Sequence, residues 1–110
     1  MPVTQEILKK KKELKALCDE HSVLRLYVFG SSVTENFKPE SDLDFLVEME
    51  KIPPVEKGEK LIHFWDKLEK LFARKVDLLT SNSIKNPYLY KSIKNSRILL
   101  YDRTSKKIFV

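Results

Sequence analysis

The sequence predicts one α+β domain over residues 1–110, with a small mixed β-sheet and helices packed mainly on one of its faces. Segments rich in β-branched and aromatic residues alternate with segments whose apolar residues recur at helical spacing. Hydrophobic residues make up 42% of the 110 residues, which is enough for one core. The chain has a single cysteine, Cys18, so we expect this core to form without an internal disulfide.

The first helix and the first strand are predicted over residues 4–19 and 23–29. Apolar residues share one side of the helix and lysines fill the rest, so we interpret the lysine run at residues 9–12 as a solvated face. The apolar side consists of Ile7, Leu14, Leu17 and Cys18. The strand is β-branched, aromatic and aliphatic, and it ends at Gly30.

A polar turn or helix start is predicted for residues 31–36, and a proline-containing loop for residues 37–40. The second strand follows at residues 43–49, with side chains that alternate between two faces. The core face is predicted to carry Leu43, Phe45, Val47 and Met49, and the opposite face Asp42, Asp44, Leu46 and Glu48.

The longest helix is predicted over residues 55–72, after a pair of prolines. Its apolar stripe is Leu61, Trp65, Leu68 and Phe72, with Ile62 alongside. The stripe predicts that Trp65 lies in the core and that His63, which is off the stripe, is a surface residue. A third strand is predicted over residues 75–80, with Val76 and Leu78 on the core face and Asp77 on the opposite face.

The last third of the chain predicts a short helix and a fourth strand. Asn86 followed by Pro87 is typical of an N-cap and a first helical turn, and the helix should end near residue 94. Residues 97–101 have the composition of a strand. The tail, residues 102–110, is basic and then apolar, which suits either an additional strand or a segment that orders against a partner.

The chain is basic, with a net charge of +5 and a pI of about 9.3. Such a charge permits contact with nucleic acid, nucleotides or an acidic protein, although many small cytosolic domains carry it without any of these partners. We do not expect direct nucleic-acid binding, because no strand face interleaves aromatic residues with lysines. No apolar run has membrane-spanning length and the first residues lack the order of a signal peptide, so a cytoplasmic location without membrane contact is predicted.

Asp42 and Asp44 are the first candidates for chemistry. The period of a strand places both carboxylates on one face, with Cα atoms about 6.5–7 Å apart. Like charges at this spacing repel one another unless a cation lies between them. Paired divalent ions held by carboxylates promote in-line displacement at phosphorus, and Mg²⁺ prefers oxygen ligands. The sequence therefore predicts a magnesium site with two ions on this face.

Gly30, Ser31 and Ser32 directly follow the first strand. Glycine permits a sharp turn, with positive φ if needed, and a close approach of phosphate. The following amides and the two serine hydroxyls can then face phosphate oxygens. Ten residues separate Gly30-Ser31 from Asp42, which is enough for one helical turn and a loop that returns to the same end of the sheet.

Asp77 is the third candidate acid. Neighbouring strands lie about 4.8 Å apart, so a carboxylate on the third strand can reach the ions held by Asp42 and Asp44. The alternative interpretation is an exposed acid that pairs with Lys75 or Arg74.

The string Gly30-Ser31, ten residues, Asp42-x-Asp44 and a later Asp77 resembles the DNA polymerase beta superfamily of nucleotidyltransferases. From its first helix to its fourth strand, the chain is similar to the smallest branch, the minimal nucleotidyltransferases. The resemblance implies the polymerase-beta-like fold, with Gly30 and Ser31 at the triphosphate of ATP. It also implies Mg²⁺ at the three aspartates, of which Asp77 completes the metal site and helps to activate the acceptor.

Minimal domains of this type are similar to antitoxins that pair with helical HEPN ribonuclease toxins. The resemblance implies transfer of AMP from ATP to a tyrosine of such a partner, and a single short domain predicts an acceptor supplied in trans. Three alternatives stay open: an antitoxin that neutralises its partner by binding alone, a nucleic-acid-binding module, and nucleotide transfer to a small molecule.

One departure from the family pattern favours the binding-only alternative. Family members often have arginine and glycine where this chain has Thr34 and Glu35. The loss of that positive charge weakens the expected contact with triphosphate, and the candidate replacements are Lys38, Lys75 and Arg74.

Overall fold

The computed structural model describes residues 2–33, 38, 41–105 and 107–108. The helices are α1 Pro2–Lys9, α2 Lys11–Glu20, α3 Pro54–Phe72 and α4 Pro87–Ser96, and short 3₁₀ turns occupy Gly30–Val33 and Ser81–Ser83. The strands are β1 Val23–Phe29, β2 Leu43–Met49, β3 Val76–Thr80, β4 Ile98–Asp102 and β5 Lys107–Ile108. The predicted α+β class is confirmed, and β1 and β2 have the predicted bounds.

The strands form one mixed sheet in the order β3-β2-β1-β4-β5. β1 pairs antiparallel with both β2 and β4, while β2 pairs parallel with β3, so β2, β3 and β4 run in the same direction. Helix α3 connects β2 to β3, toward one edge of the sheet. Helix α4 connects β3 to β4, in the opposite direction across the sheet. Because crossovers between parallel strands are almost always right-handed, opposite movements place α3 and α4 on opposite faces.

The main core lies between the sheet and helices α1, α2 and α3. Its fully buried side chains include Ile7, Leu14, Cys18, Leu26, Leu43, Phe45, Val47, Phe64, Leu68, Leu100 and Tyr101. Full burial of one large aliphatic or aromatic side chain contributes roughly 1.5–3 kcal/mol, so this layer accounts for most of the hydrophobic stabilisation. The predicted inward residues of the first helix and of β2 are in this core.

The prediction for Trp65 is wrong. The buried stripe of α3 is Phe64, Leu68 and Phe72, and Trp65 lies beside it with 40% of its surface exposed. Its indole Nε1 donates a hydrogen bond of 2.7 Å to the carbonyl of Val76. A tryptophan at the margin of a core can bury its ring partly and still satisfy its N–H, whereas phenylalanine has no polar atom to satisfy. His63 is exposed, as predicted.

The opposite face of the sheet is also partly covered. Phe29, Leu46 and Ile93 form a second buried cluster, and Tyr27, Leu79 and Ile84 pack against it. Leu46 therefore lies under α4 and not on a solvated face. Helices are packed mainly on one face, as expected, and α4 is the exception.

Two further predictions concern the ends of the chain. The single helix predicted over residues 4–19 is interrupted at Lys10, and nothing in the described contacts explains the break. In the tail, β5 pairs antiparallel with β4, so an additional strand is present.

Asn86 caps α4 as predicted, since its side chain accepts hydrogen bonds from the amides of Tyr88 and Leu89 at 2.9 and 3.3 Å. None of the described helices combines the length and hydropathy needed to cross a membrane.

Candidate active site

The predicted site residues meet at one end of the sheet. Gly30 follows the last residue of β1, and Phe29 pairs with Asp44 in the antiparallel ladder. Asp44 is in register with Asp77 in the parallel ladder of β2 and β3. Antiparallel pairing of β1 with β2 thus brings the glycine turn and the carboxylates together, as the ten-residue spacing predicted. Thr34 and Glu35 lie outside the described residues.

Gly30 is required by both its backbone conformation and its surroundings. Its φ of +69° lies in the left-handed region, which residues with a Cβ atom adopt only at a cost. A Cβ atom at this position would lie 2.7 Å from Oδ2 of Asp44, well inside van der Waals contact. The absence of a side chain at residue 30 therefore determines where the Asp44 carboxylate can lie.

Of the two serines of the turn, Ser32 departs from the prediction. The Ser32 hydroxyl is buried, accepts a hydrogen bond from the amide of Asp44 at 3.0 Å, and donates to the carbonyl of Asp42 at 3.4 Å. It ties the turn to the start of β2 and does not face outward toward a phosphate, contrary to the prediction. Ser31 is in the same 3₁₀ turn, and its side chain lies outside the described part of the chain.

The three aspartates crowd negative charge at this end of the sheet. Asp44 is half-buried and Asp77 is exposed. The pKa of Asp44 is raised to about 6, first by burial and then by the charge of Asp77, a hydrogen bond with Asp77 and the charge of Asp42. Like charges raise a carboxyl pKa because each opposes ionisation of the other. A bound cation would reverse this effect.

Asp44 and Asp77 supply the donor chemistry that a hard divalent cation requires. Among the described residues, no group of three or more Asp, Glu, His or Cys side chains is already arranged to hold a metal ion. Mg²⁺ is commonly bound through one or two carboxylates, with substrate phosphates and water completing its octahedral shell. A close pair of carboxylates beside a glycine turn fits this mode of binding.

Comparison with known proteins identifies the family. The profile of the nucleotidyltransferase domain family matches residues 10–100. The chain belongs to this family. A protein of Methanocaldococcus jannaschii with the provisional name protein adenylyltransferase MJ1379 is 40% identical over 96 residues, which cover 86% of this chain and 91% of the relative.

Two solved structures share the fold of this nucleotidyltransferase. One, provisionally named a minimal nucleotidyltransferase, has a TM-score of 0.63 at 23% identity and covers 86% of this chain and 92% of its own. The other is a tri-AMPylated Shewanella oneidensis HEPN toxin in complex with MNT antitoxin. A chain of this complex gives a TM-score of 0.57 at 17% identity, and the match covers 91% of this chain and 75% of the other.

Arg74 positions the loop that leads into the site of the nucleotidyltransferase. It is nearly buried, and its guanidinium donates to the carbonyls of Lys38 and Ser41 at 3.1 and 2.8 Å. The same group forms a 2.7 Å ion pair with Glu6 of α1. Ser41 directly precedes Asp42, so Arg74 ties the entry to β2 to the body of the domain. This engagement argues against Arg74 as a replacement cation for triphosphate, and the sequence alone carried no signal for it.

We expect Arg74→Ala to lower the free energy of unfolding by about 2 kcal/mol, because it leaves Glu6 without its buried partner and frees two loop carbonyls. Urea unfolding at pH 7.5 measures the change. Lys70→Ala is the matched control, since Lys70 forms an exposed 2.9 Å pair with Asp66 and its loss should cost less than about 0.5 kcal/mol. Equal losses in the two variants would contradict the positioning role.

Helix α3 also fixes the edge strand beside Asp77. The carbonyl of Val76 accepts from Trp65, and the amide of Val76 donates to Glu69 Oε2 at 2.9 Å. These two side chains satisfy the backbone N–H and C=O groups of Val76 on the side of β3 that faces away from β2. Trp65 is the one tryptophan in the sequence, so its fluorescence reports on a strand residue adjacent to Asp77.

Proposed function

We propose that this nucleotidyltransferase transfers AMP from Mg-ATP to a tyrosine hydroxyl of a HEPN-type toxin and so acts as its antitoxin. The observation that carries the proposal is the Asp44–Asp77 carboxylate pair beside the Gly30 turn. Asp77 is exposed, so an acceptor as large as a protein can approach the pair from solvent. The provisional name of the M. jannaschii relative and the fold shared with the AMPylated toxin complex support the same acceptor class.

In this proposal the chain positions the triphosphate and the metal ligands. The turn at Gly30 and Ser31 would receive the phosphates, and the carboxylates of Asp42, Asp44 and Asp77 would hold one or two Mg²⁺ ions. Bound Mg²⁺ would neutralise the phosphate oxygens and polarise the α-phosphorus. Ser32 keeps Asp42 and Asp44 in place through its hydrogen bonds to their backbone groups.

The reaction is an in-line displacement at the α-phosphorus. The tyrosine oxygen forms a bond to this phosphorus while the bond to the bridging oxygen of pyrophosphate breaks, so pyrophosphate leaves with that electron pair. The hydroxyl proton passes to the carboxylate of Asp77, the most exposed of the three aspartates. The products are an AMP-modified tyrosine and pyrophosphate.

Intact-mass spectrometry tests the proposal. We expect the purified chain to bind Mg-ATP but to transfer AMP poorly by itself, and to add one or more AMP units to a HEPN-type protein encoded beside it. Replacement of the modified tyrosine by phenylalanine should abolish the adduct. If the two proteins form a tight complex but the partner gains no mass with ATP and magnesium, the binding-only antitoxin replaces this function.

The binding-only function remains the second candidate for a specific reason. Thr34-Glu35 stands where family members often have arginine and glycine, and Arg74 is engaged with Glu6 and the loop carbonyls. Under this alternative the complex forms equally well with and without ATP, and the partner keeps its unmodified mass.

A further inference from the structure

Helix α4 leaves three large side chains partly or mostly exposed. Within this ten-residue helix the buried residue is Ile93. Tyr88, Leu89 and Tyr90 have 84%, 48% and 41% of their surface exposed. We call these three residues the α4 patch. A helix of this length is marginal without tertiary packing, so one buried residue leaves α4 with an incomplete apolar contact.

The same segment is strongly basic. Residues 84–97 contain four basic residues and no acidic ones: Lys85, Lys91, Lys94 and Arg97. The rest of the chain has 17 basic and 16 acidic residues, so this segment carries +4 of the net charge of +5. Helix α4 and its flanks are thus a locally basic part of the surface, as is the lysine run at residues 9–12.

The position of α4 relates this surface to the active site. The helix lies on the sheet face that carries Phe29, Leu46 and the two site carboxylates. It starts beyond the far end of β3 and runs toward the site end, where it contacts the Gly30–Val33 turn. Arg97, at its C-terminal end, stacks 4.1 Å above the ring of Tyr27. A macromolecule bound along α4 would therefore extend to the edge of the carboxylate pair.

We propose that α4 and its flanks form the docking surface for the acceptor protein, which binds with a face that is acidic and apolar. The inference rests on the proposed function, because it takes the macromolecule on α4 to be the acceptor. Exposed tyrosines are enriched at protein interfaces and among the residues that contribute most to binding, and basic residues around them select an acidic partner. The exposed leucine favours a protein over a nucleic acid, whose bases would stack on the aromatic rings alone.

Binding of variants to the acceptor tests the docking surface separately from catalysis. All variants carry Asp44→Asn, so that the affinity for the HEPN-type protein is measured by calorimetry without AMP transfer. We expect Tyr88→Ser with Leu89→Ser to weaken binding at least about tenfold, since interface anchors contribute more than 1 kcal/mol each. The control is Val55→Ser with Ile62→Ser on α3, which removes two apolar side chains that are 76% and 66% exposed and should change affinity less than about twofold.

Charge reversal gives a second, independent measurement. Lys91→Glu with Lys94→Glu should slow association about tenfold at low salt and flatten its dependence on ionic strength, because both lysines steer an acidic face. Both lysines are exposed, so these variants should fold, and thermal unfolding checks this. An unchanged association rate at every salt concentration would contradict charge complementarity and overturn the inference that the partner's face is acidic.

The outcomes separate this inference from the proposed function. If the α4 variants bind the HEPN-type protein as tightly as the Asp44→Asn parent does, the docking surface is wrong, even where wild-type protein produces an AMP adduct. If they lose binding while wild-type protein produces no adduct, the docking surface stands and the transferase function fails. Binding of a single-stranded RNA oligonucleotide that depends on Tyr88 and Lys91 would reassign α4 to nucleic acid and overturn the inference.

Discussion

Asp44→Asn should reduce nucleotide transfer at least about 1,000-fold and, in the metal-free protein, make the fold more stable. The activity loss follows because removal of a charged metal ligand takes away several kcal/mol of transition-state stabilisation, and about 4 kcal/mol corresponds to a factor of about 1,000. The gain in stability follows because burial and the neighbouring carboxylates oppose ionisation of Asp44 in the folded state.

The gain should depend on pH in a defined direction. The pKa of Asp44 rises from 3.8 to about 6 on folding, so the folded protein binds more protons between these values and loses stability as the pH rises through this window. The upper limit of the effect is about 3 kcal/mol, and solvent screening of a half-exposed group reduces it to about 1–2 kcal/mol. Urea unfolding in a chelator should show equal stability of the two proteins near pH 4 and this difference above pH 6.

Glu48→Gln is the matched control for Asp44→Asn. Glu48 lies on the same strand and face but pairs with Arg25 at 3.1 Å, away from the site end. Transfer should be retained in this variant, and magnesium should change Trp65 fluorescence in it as in the wild type. In Asp44→Asn the magnesium response should disappear. Full transfer activity in Asp44→Asn would remove this residue from the proposed metal site.

Gly30→Val should weaken ATP binding at least about tenfold and lower the free energy of unfolding by about 2–3 kcal/mol. The stability loss follows from forcing a β-branched residue into the left-handed region, where even unbranched residues are strained. The affinity loss has a separate cause, since the new Cβ atom displaces the carboxylate of Asp44 and, under the proposed function, a side chain at residue 30 obstructs the approach of phosphate to the backbone. Calorimetry with Mg-ATP and urea unfolding measure the two effects.

Gly58→Ala tests whether these effects belong to the site. Gly58 is the other glycine of the chain, and a Cβ atom there meets nothing within 4 Å in the middle of α3. This variant should gain about 0.5–1 kcal/mol of stability, because alanine is the better helix former, and should bind ATP as the wild type does. If Gly30→Val matched the wild type in ATP affinity, the triphosphate would have to lie elsewhere.

The strands and the helix caps were predictable because their signals are local. Composition defined β1 and alternation defined β2 to the residue, and Asn86-Pro87 identified the start of α4 from the chemistry of two adjacent side chains. The buried stripe of α3 was predicted incorrectly at one position, because Phe64 and Trp65 are neighbours and both suit a core. Which of them is buried depends on the rotation of α3 against the sheet, and helical spacing alone does not determine that rotation.

The sequence by itself determined the chemistry available at the site: a glycine turn, carboxylates at period two and a third acid on another strand. Tertiary structure decided how those groups are arranged. Antiparallel pairing of β1 with β2 brought Gly30 against Asp44, and parallel pairing of β2 with β3 set Asp77 in register with it. Three other features depend on contacts between residues far apart in the chain. They are the hydrogen bonds of the buried Ser32 hydroxyl, the Arg74–Glu6 ion pair and the packing of α4 on the sheet. Such contacts depend on strand order and crossover direction, which become defined only when the sheet has formed.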